Sequence, residues 1–311
     1  MGTMGSRGKN AVILIDKASG ITSFDCLGRV KRLVNKKTGH CGTLDKFAHG
    51  LQIVLCGSYT HLVPAFMGMD KTYEATIEFG KSTDTLDPEG VVFETGMVPS
   101  FDVVSKAVQS LIGPLKQIPP AYSAIHINGK RSYQMARSMK ESVQVSELLP
   151  ARPITIHEAS IISYEAPYLK VRLRVSKGTY IRSYARDLGH LCNSCAYVKE
   201  LYRTSIGPFS VEDAISYDDS EALSGIGSGT LEHGLDLIKR IPGTVCIEVT
   251  EAEAFKLSNG YVLNSVSSKV PNDATFALFM CSEAPVCLYS AKEKKIICQM
   301  SSQEAQGAKD E

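Results

Sequence analysis

The sequence predicts an α+β protein in which a large domain is followed by a small β domain. Residues 71–79 alternate apolar and polar side chains, which is typical of a strand with one buried face. Apolar residues at helical spacing follow Thr22 and, further along, Ser100. Four short β-type runs lie between Thr244 and Met300. A length of 311 residues exceeds one typical domain, so we expect these runs to form a second unit.

The large domain is predicted to begin with a strand and a helix. The continuous apolar run at residues 11–15 indicates a buried strand that ends at Asp16-Lys17. After a turn at Ser19-Gly20, Thr22 or Ser23 can cap a helix. The apolar residues expected on the inner side of this helix are Phe24, Leu27, Val30 and Val34.

A second helix and another alternating strand are predicted further along the chain. The helix begins after Ser100, is stopped by Gly113-Pro114, and carries on its inner side Phe101, Val104, Val108 and Leu111. Residues 168–176 alternate, with Lys and Arg on one face. If this strand continues through Gly178, Tyr180 and Arg182 share its cationic face. A helix follows whose apolar side carries Tyr184, Leu188 and Leu191.

The last third of the chain changes in composition. Residues 216–230 are rich in Ser, Gly and Asp, which predicts a flexible connection before a helix near 231–239. The β-type runs that follow suit a small barrel and are found at 245–249, 275–280, 286–289 and 295–298. We therefore expect flexible tails at residues 1–9 and 301–311, a large domain at 10–240 and a small one at 244–300.

Composition and charge favour a soluble protein that binds a polyanion. No apolar run approaches the roughly 20 residues that span a bilayer, so no membrane association is expected. Nine scattered cysteines, an odd number, suit reduced thiols and a cytoplasmic location. The net charge is only +1, but residues 1–60 hold nine Lys or Arg against three Asp, and residues 170–203 hold eight against two acids. The acidic end, residues 211–311, holds sixteen acids against eight bases.

A glycine-rich stretch at residues 39–50 stands out as a candidate site. Three glycines bracket the single carboxylate of Asp45, which predicts a bent loop. This carboxylate could be a nucleophile, a base, a solvated turn residue or a helix cap. The carboxylates at Asp84 and Asp87 invite a metal-site interpretation, but Asp, Pro and Gly together more simply indicate a turn. Tyr73 lies on the apolar face of its strand and could be either a core residue or a residue of the site.

Five ordered motifs resemble the TruB family of tRNA pseudouridine synthases, over roughly residues 10 to 215. The glycine-rich stretch matches the family's Gly-His-x-Gly-x-Leu-Asp-Pro-x-Ala-x-Gly loop, except that Lys46 stands where proline is usual. The other matching segments are Asp16-Lys17-Ala18-Ser19-Gly20-Ile21-Thr22-Ser23, Asp70-Lys71-Thr72-Tyr73, residues 118–124 and Gly178-Thr179-Tyr180-Ile181-Arg182.

This resemblance implies a fold, a reaction and a set of site residues. The fold is a mixed, mostly antiparallel sheet flanked by helices, with a small PUA-like β domain at the C-terminal end. The reaction converts the T-loop uridine of tRNA, position 55, to pseudouridine after base flipping, without cofactor or metal. The implied partner is the tRNA T stem-loop, bound by a monomer without an obligate protein partner, and a loop at 129–149 closes over it. The implied roles are Asp45 as nucleophile, Arg182 as its cationic partner, Tyr73 as the ring stacked on the base, His40 in the space the base vacates, Tyr180 and Leu201 as pocket walls, and Lys17 on phosphate.

Three alternatives stay open at this point. One is a non-catalytic RNA-binding protein on the same fold. Another is a metal-dependent phosphodiesterase that uses Asp45, Asp84, Asp87 and His40. A guide-directed relative acting on other RNAs is the third. The sequence also leaves open whether Asp45 attacks C6 or C1′, what the acidic end does, and how Lys46 alters the loop.

Overall fold

The computed structural model describes residues 9–123, 126–127, 130–131, 149–228 and 234–300. Of the tails expected at 1–9 and 301–311, residues 1–8 and 301–311 lie outside the described residues. Nearly all of the loop expected to close over RNA also lies outside them, as do residues 229–233. None of the described helices is long and apolar enough to cross a membrane. The limits of the two predicted domains stay a prediction.

The strands, in chain order, are β1 (Ala11–Lys17), β2 (Thr38–His40), β3 (His49–Cys56), β4 (Lys71–Phe79), β5 (Lys81–Thr83), β6 (Val92–Thr95), β7 (Gly113–Gln117), β8 (His126–Ile127), β9 (Lys130–Arg131), β10 (Arg152–Glu165), β11 (Tyr168–Val175), β12 (Ala196–Ile206), β13 (Phe209–Ser210), β14 (Ile215–Ser216), β15 (Thr244–Glu248), β16 (Phe276–Cys281), β17 (Ala284–Ser290) and β18 (Lys295–Gln299). The described α-helices are α1 (Ser23–Leu33), α2 (Val63–Met67), α3 (Phe101–Ser110), α4 (Ile181–Leu191), α5 (Ser220–Ser228), α6 (Leu235–Lys239), α7 (Glu251–Ser258) and α8 (Asn264–Ser267). Short 3₁₀ turns lie at Gly57–Leu62 and Val211–Asp213.

One large sheet organises the chain. Its strands lie in the order β14-β1-β3-β12-β4-β11-β10-β7, with β13 paired to β12 and β2 to β3. The pairs β1–β14 and β3–β12 are parallel, and the remaining pairs in this sheet are antiparallel. The predicted mixed, mostly antiparallel sheet with flanking helices is therefore confirmed.

The apolar runs of the sequence explain how the sheet is covered. In β1, Ala11 and Ile13 pack with α1 and α5 on one face, while Val12 and Leu14 pack in another cluster on the opposite face. Both faces are buried, so the run is continuous rather than alternating. In β4, by contrast, the alternation of residues 71–79 buries Tyr73 in a cluster with α3 and α4.

Several local predictions need correction. The strand from Tyr168 ends at Val175 instead of continuing through Gly178, so Arg182 lies on α4 and not on a strand face. Three apolar residues expected on inner helix faces are largely exposed, namely Phe24, Phe101 and Leu191. In the stretch predicted as a flexible connection, α5 forms and buries Leu223 and Ile226. The Asp219 carboxylate accepts the backbone N–H of Ala222. Asp219, which the sequence analysis counted among residues typical of a loop, therefore caps this helix.

The C-terminal β runs form a separate four-stranded sheet. Its strands pair in the open row β15-β16-β17-β18, with no pairing of β15 to β18 among the described residues, so the predicted barrel is not formed. Helix α7, which the sequence analysis missed, packs against β16 and β17. Leu278 and Leu288 of this sheet share an apolar cluster with Leu51 and Leu55 of the large sheet. The small sheet is therefore docked through hydrophobic packing.

Candidate active site

A cavity of about 910 Å³ lies where the glycine-rich loop, β4, β12 and the start of α4 meet. Its wall includes five of the seven side chains that the sequence analysis singled out, namely Asp45, Tyr73, Tyr180, Arg182 and Leu201. These residues span more than 150 positions of the chain, so their convergence is a product of the sheet topology. His40 and Lys17 lie outside the wall of this cavity.

The loop that carries Asp45 is held by the segment at residues 19–23. The Ser23 hydroxyl accepts the N–H of Leu44 at 2.9 Å and donates to the Leu44 carbonyl at 3.0 Å. The backbone N–H of Gly20 donates to the Lys46 carbonyl at 2.9 Å. Two matching motifs of the sequence are thus one structural unit, which fixes the backbone on both sides of the carboxylate.

Arg182 holds the Asp45 carboxylate by two of its nitrogens. Its Nη2 donates to Asp45 Oδ1 at 3.0 Å, and its Nε lies 2.9 Å from Oδ2, although that N–H is poorly aligned for a hydrogen bond. The carbonyls of Thr85 and Tyr122 accept from Nη1 and Nη2 at 3.0 and 2.9 Å. The Arg182 side chain is only 6% exposed, while Asp45 is 35% exposed and opens to the cavity. The guanidinium is therefore fixed, and the carboxylate remains accessible.

Asp87 is a component of this site that the sequence analysis missed. Its Oδ2 lies 3.5 Å from Arg182 Nη1, so one guanidinium faces two carboxylates. Burial raises the pKa of Asp87, while hydrogen bonding to Thr85 and the charge of Arg182 act in the opposite direction. The turn predicted at residues 83–90 is present, but its carboxylate points inward to the arginine. Contacts of this kind, which join residues 95 positions apart, leave no local pattern in the sequence.

Two aromatic side chains and a leucine form the remaining wall. Tyr73 lies on β4 between Leu173 of β11 and Arg203 of β12, and within the described chain its hydroxyl has no hydrogen-bond partner. The backbone of Tyr180 is fixed by the Gln117 side chain, which accepts its N–H at 2.8 Å. Burial raises the pKa of the Tyr180 phenol, so it stays protonated at neutral pH. An apolar, aromatic wall beside a charged pair suits a flat polar ring.

Comparison with known proteins assigns the family. The family model described as "TruB family pseudouridylate synthase (N terminal domain)" matches residues 31–181. The tRNA pseudouridine synthase B of Borreliella afzelii is 41% identical over 210 residues, which are 66% of this chain and 73% of that protein. Its counterpart in Aromatoleum aromaticum is 38% identical over 257 residues, 82% of this chain and 81% of that protein. The chain belongs to the TruB family. It is therefore a pseudouridine synthase, which is an isomerase.

Solved structures support the TruB-type fold. "Structure of H/ACA RNP bound to a substrate RNA containing 2'-deoxyuridine" is similar at a TM-score of 0.66 and 18% identity, covering 94% of this chain and 86% of that one. "Crystal Structure of a Cbf5-Nop10-Gar1 Complex" is similar at a TM-score of 0.65 and 20% identity, covering 94% and 84%. At these identities the likeness shows the fold alone, and it agrees with the predicted class.

Lys17 occupies a different environment in this TruB-family chain from the one expected. Its residue exposure is 0%, and its ammonium donates to the carbonyls of Ala18 and Ile21 at 2.9 and 2.7 Å. Burial lowers its pKa to about 8. In this structure the Lys17 ammonium is bound to backbone carbonyls inside the protein, and its contact with an RNA phosphate stays a prediction. The lysine instead ties together the turn that supports the Asp45 loop.

His40 belongs to the TruB loop motif but lies outside the cavity wall. It is the last residue of β2 and pairs with Val54 of β3. Its Nδ1 is buried, without a hydrogen-bond partner among the described residues. Burial, and then the charge of Arg203, lower the pKa of His40, so the imidazole is neutral at pH 7.

Lys46, which stands where proline is usual in the TruB motif, makes an ion pair with Glu89. Lys46 Nζ lies 3.2 Å from the Glu89 carboxylate, and both side chains are about half exposed. Glu89 belongs to the turn that carries Asp87, and its backbone N–H donates to Asp87 Oδ1 at 3.0 Å. The Lys46–Glu89 ion pair thus links the Asp45 loop to this turn. A proline at position 46 would instead have fixed the backbone φ angle of the loop.

The cavity is far more cationic than the protein as a whole. Its charged lining residues are one acid, Asp45, and five bases, which are Lys71, Arg152, Lys177, Arg182 and Arg203. By contrast, Lys170 and Arg174 on the opposite face of β11 pair with Glu74 and Glu158. Only part of the basic block at 170–203 therefore faces the site. Among the described residues, no group of three or more His, Cys, Asp or Glu is placed to hold a metal.

Proposed function

We propose that this chain acts on tRNA and converts uridine 55 of the T loop to pseudouridine, with Asp45 as the nucleophile. The observation that carries the proposal is the Asp45–Arg182 pair, at 2.9 and 3.0 Å, in a cation-lined cavity. Relatives 38–41% identical, all named tRNA pseudouridine synthase B, support tRNA as the substrate.

The reaction is an isomerisation, so every atom of the uridine is retained. The C1′–N1 bond breaks, a C1′–C5 bond forms, and the hydrogen lost from C5 is balanced by one gained at N1. Asp45 forms a transient covalent bond to the nucleoside, at C6 or at C1′, and is released when the new bond is complete. Neither electrons nor atoms are left over, and the proposed reaction uses no cofactor and no metal.

Arg182 holds the nucleophile in a fixed direction. Its Nε and Nη2 lie 2.9 and 3.0 Å from the two oxygens of the Asp45 carboxylate. Because Arg182 is also bound to the Thr85 and Tyr122 carbonyls, the pair is fixed before substrate arrives. Such preorganisation avoids rearrangement during the reaction.

The wall residues are proposed to hold an extruded uracil. A T-loop base must leave its stack to reach Asp45, which costs a few kcal/mol. Stacking on Tyr73, with Tyr180 and Leu201 on the other sides, recovers part of this cost. His40 is neutral, and its Nδ1 has no partner within the described chain; it is proposed to contact the RNA where the base was. We propose that residues 10–240 carry this chemistry and that the protein acts as a cytoplasmic monomer without an obligate protein partner.

Purified protein and an unmodified tRNA transcript, without guide RNA or protein partner, test the proposal. We expect pseudouridine at position 55 alone, formed equally with and without EDTA. Asp45→Asn is expected to abolish turnover while RNA affinity changes little, and Asp102→Asn, an exposed carboxylate on α3, is the matched control. Full turnover by Asp45→Asn would refute the assigned nucleophile. Activity lost in EDTA would favour a metal-dependent enzyme instead.

A further inference from the structure

Arg203 is a cation buried in the cavity wall. It is 1% exposed and is the largest fully buried side chain among the described residues. Its Nε donates to the Leu51 carbonyl at 2.7 Å and its Nη2 to the Gly42 carbonyl at 3.2 Å. Within the described chain, Nη1 has no acceptor, and no carboxylate lies within 4 Å of the guanidinium. The guanidinium is fixed by these two hydrogen bonds, and its Nη1 can still donate to a ligand.

Lys71 is a second buried cation in the same wall. It is 8% exposed, and its ammonium donates to the carbonyls of Met67 and Met69 at 2.9 and 2.5 Å. An ammonium has three donors, so one remains for a ligand. Burial, and then the charge of Arg203, lower the pKa of Lys71 to about 8. Both cations line the same cavity on the paired strands β4 and β12.

Both cations lie beside the proposed uracil pocket. Lys71 and Tyr73 share one face of β4, and Arg203 of β12 is directly opposite Tyr73. Arg203 Nη1 also lies next to Gly42 of the cavity wall, 3.7 Å from where a Cβ on that glycine would stand. The Arg203 nitrogen without an acceptor therefore lies beside the part of the cavity wall that Gly42 forms.

We propose that Lys71 and Arg203 form a subsite for an anionic oxygen of the bound nucleotide. The proposal rests on the function proposed above. Two sources supply such an oxygen, namely a phosphodiester next to the target uridine and the uracil carbonyl that gains charge when the C1′–N1 electron pair passes to the ring. Two neighbouring buried cations that face only neutral carbonyls repel each other. An anionic oxygen that enters between them removes this repulsion, so the site favours the charged group over water.

The binding experiment uses T stem-loop RNAs in which the linkage 5′ or 3′ to the target uridine is a neutral methylphosphonate. Affinity is measured on Asp45→Asn protein, which holds substrate without turnover. If a phosphodiester occupies the subsite, one of the two methylphosphonates weakens binding about tenfold, and Arg203→Gln in the same background reduces this difference to below twofold.

The rate experiment uses single turnover on the all-phosphodiester stem-loop with Asp45 intact. If the uracil oxygen occupies the subsite, neither methylphosphonate matters, and Arg203→Gln lowers the rate at least 100-fold at unchanged affinity. Arg203→Lys, which keeps a cation, is expected to retain more activity than Arg203→Gln. If an Arg203 variant fails to fold, Lys71→Met tests the subsite independently. Lys170→Met, on the opposite face of the sheet, is the matched control for Lys71→Met.

The proposal is overturned if Lys71→Met and Arg203→Gln stay within threefold of wild type in both experiments. It is also overturned if Arg203→Lys and Arg203→Gln lose activity equally with the same fall in melting temperature, because both residues would then be only structural. In either case wild-type activity on the stem-loop leaves the proposed function standing. Absence of pseudouridine with wild-type protein would refute that function instead.

Discussion

The replacement Arg182→Lys tests the central ion pair while it keeps the charge. The wild-type guanidinium reaches both oxygens of Asp45 and also binds the Thr85 and Tyr122 carbonyls. A lysine ammonium is a single point with no planar fork, so it cannot hold both carboxylate oxygens and both carbonyls together. The Asp45 carboxylate should therefore keep a cationic partner but lose its fixed direction.

The size of the effect follows from the hydrogen bonds that the replacement removes. At least one charge-assisted hydrogen bond to Asp45 disappears, and such bonds contribute about 1.5–3 kcal/mol each. If this energy is realised in the transition state, the rate falls by roughly 10- to 150-fold, at tenfold for each 1.4 kcal/mol. RNA affinity should change less than threefold, because Arg182 is 6% exposed and its charge is retained.

Single-turnover kinetics on a T stem-loop, with excess enzyme, isolate this step from product release. Arg172→Lys is the control, since Arg172 is exposed on the opposite face of β11. A rate for Arg182→Lys within threefold of wild type would show that the bidentate geometry is dispensable. An equal loss of rate in the Arg172→Lys control would indicate a general effect of the exchange.

Three further predictions concern the loop, the tyrosine and the buried lysine. Gly50→Ala should destabilise the fold by about 2–4 kcal/mol in a denaturant titration, because the φ of Gly50 is +106° and a Cβ would overlap the Arg203 carbonyl. Gly28 lies in α1 with open space around it, so Gly28→Ala should instead raise the free energy of unfolding by about 0.5–1 kcal/mol. Tyr73→Phe should lower the single-turnover rate more than RNA affinity and leave the melting temperature unchanged, since its hydroxyl has no partner in the described chain; equal losses in rate and affinity would contradict this. Burial lowers the pKa of Lys17 to about 8 in the fold while the unfolded chain keeps 10.5, so above pH 8 the unfolded state binds more protons and stability rises with pH. Lys17→Met should remove up to about 1.4 kcal/mol per pH unit from this slope between pH 8 and 9, whatever its effect on absolute stability, and an unchanged slope would refute the assignment.

The elements whose prediction succeeded are those with a strong local pattern. The alternation at residues 71–79 gives β4 with the same bounds, and Ser100 precedes α3 as expected. The TruB resemblance added what periodicity does not contain, namely that Asp45 and Arg182, 137 positions apart, meet. Their contact depends on the placement of β12 between β3 and β4, which no local pattern encodes.

The failures have physical causes of the same kind. A strand through Gly178 would have placed Arg182 on the face of Lys170 and Arg174, but Gly178 has a φ of +82° and the chain turns there into α4. That turn sends Arg182 into the cavity and leaves the β11 cations outside. Asp87 was taken for an ordinary turn residue because turn composition is identical whether its carboxylate faces water or an arginine.

Charge pairing, more than charge content, decides which basic residues can bind RNA. The two blocks of excess cations in the sequence predicted one basic surface, yet Lys170, Arg174 and Lys199 are each within 4 Å of a carboxylate on the outer face of the sheet. Arg203 and Lys71 line the cavity, and within the described chain neither has a carboxylate within 4 Å. Because neighbouring acids cancel the first set and not the second, a chain with a net charge of +1 can still present a strongly cationic cavity to RNA.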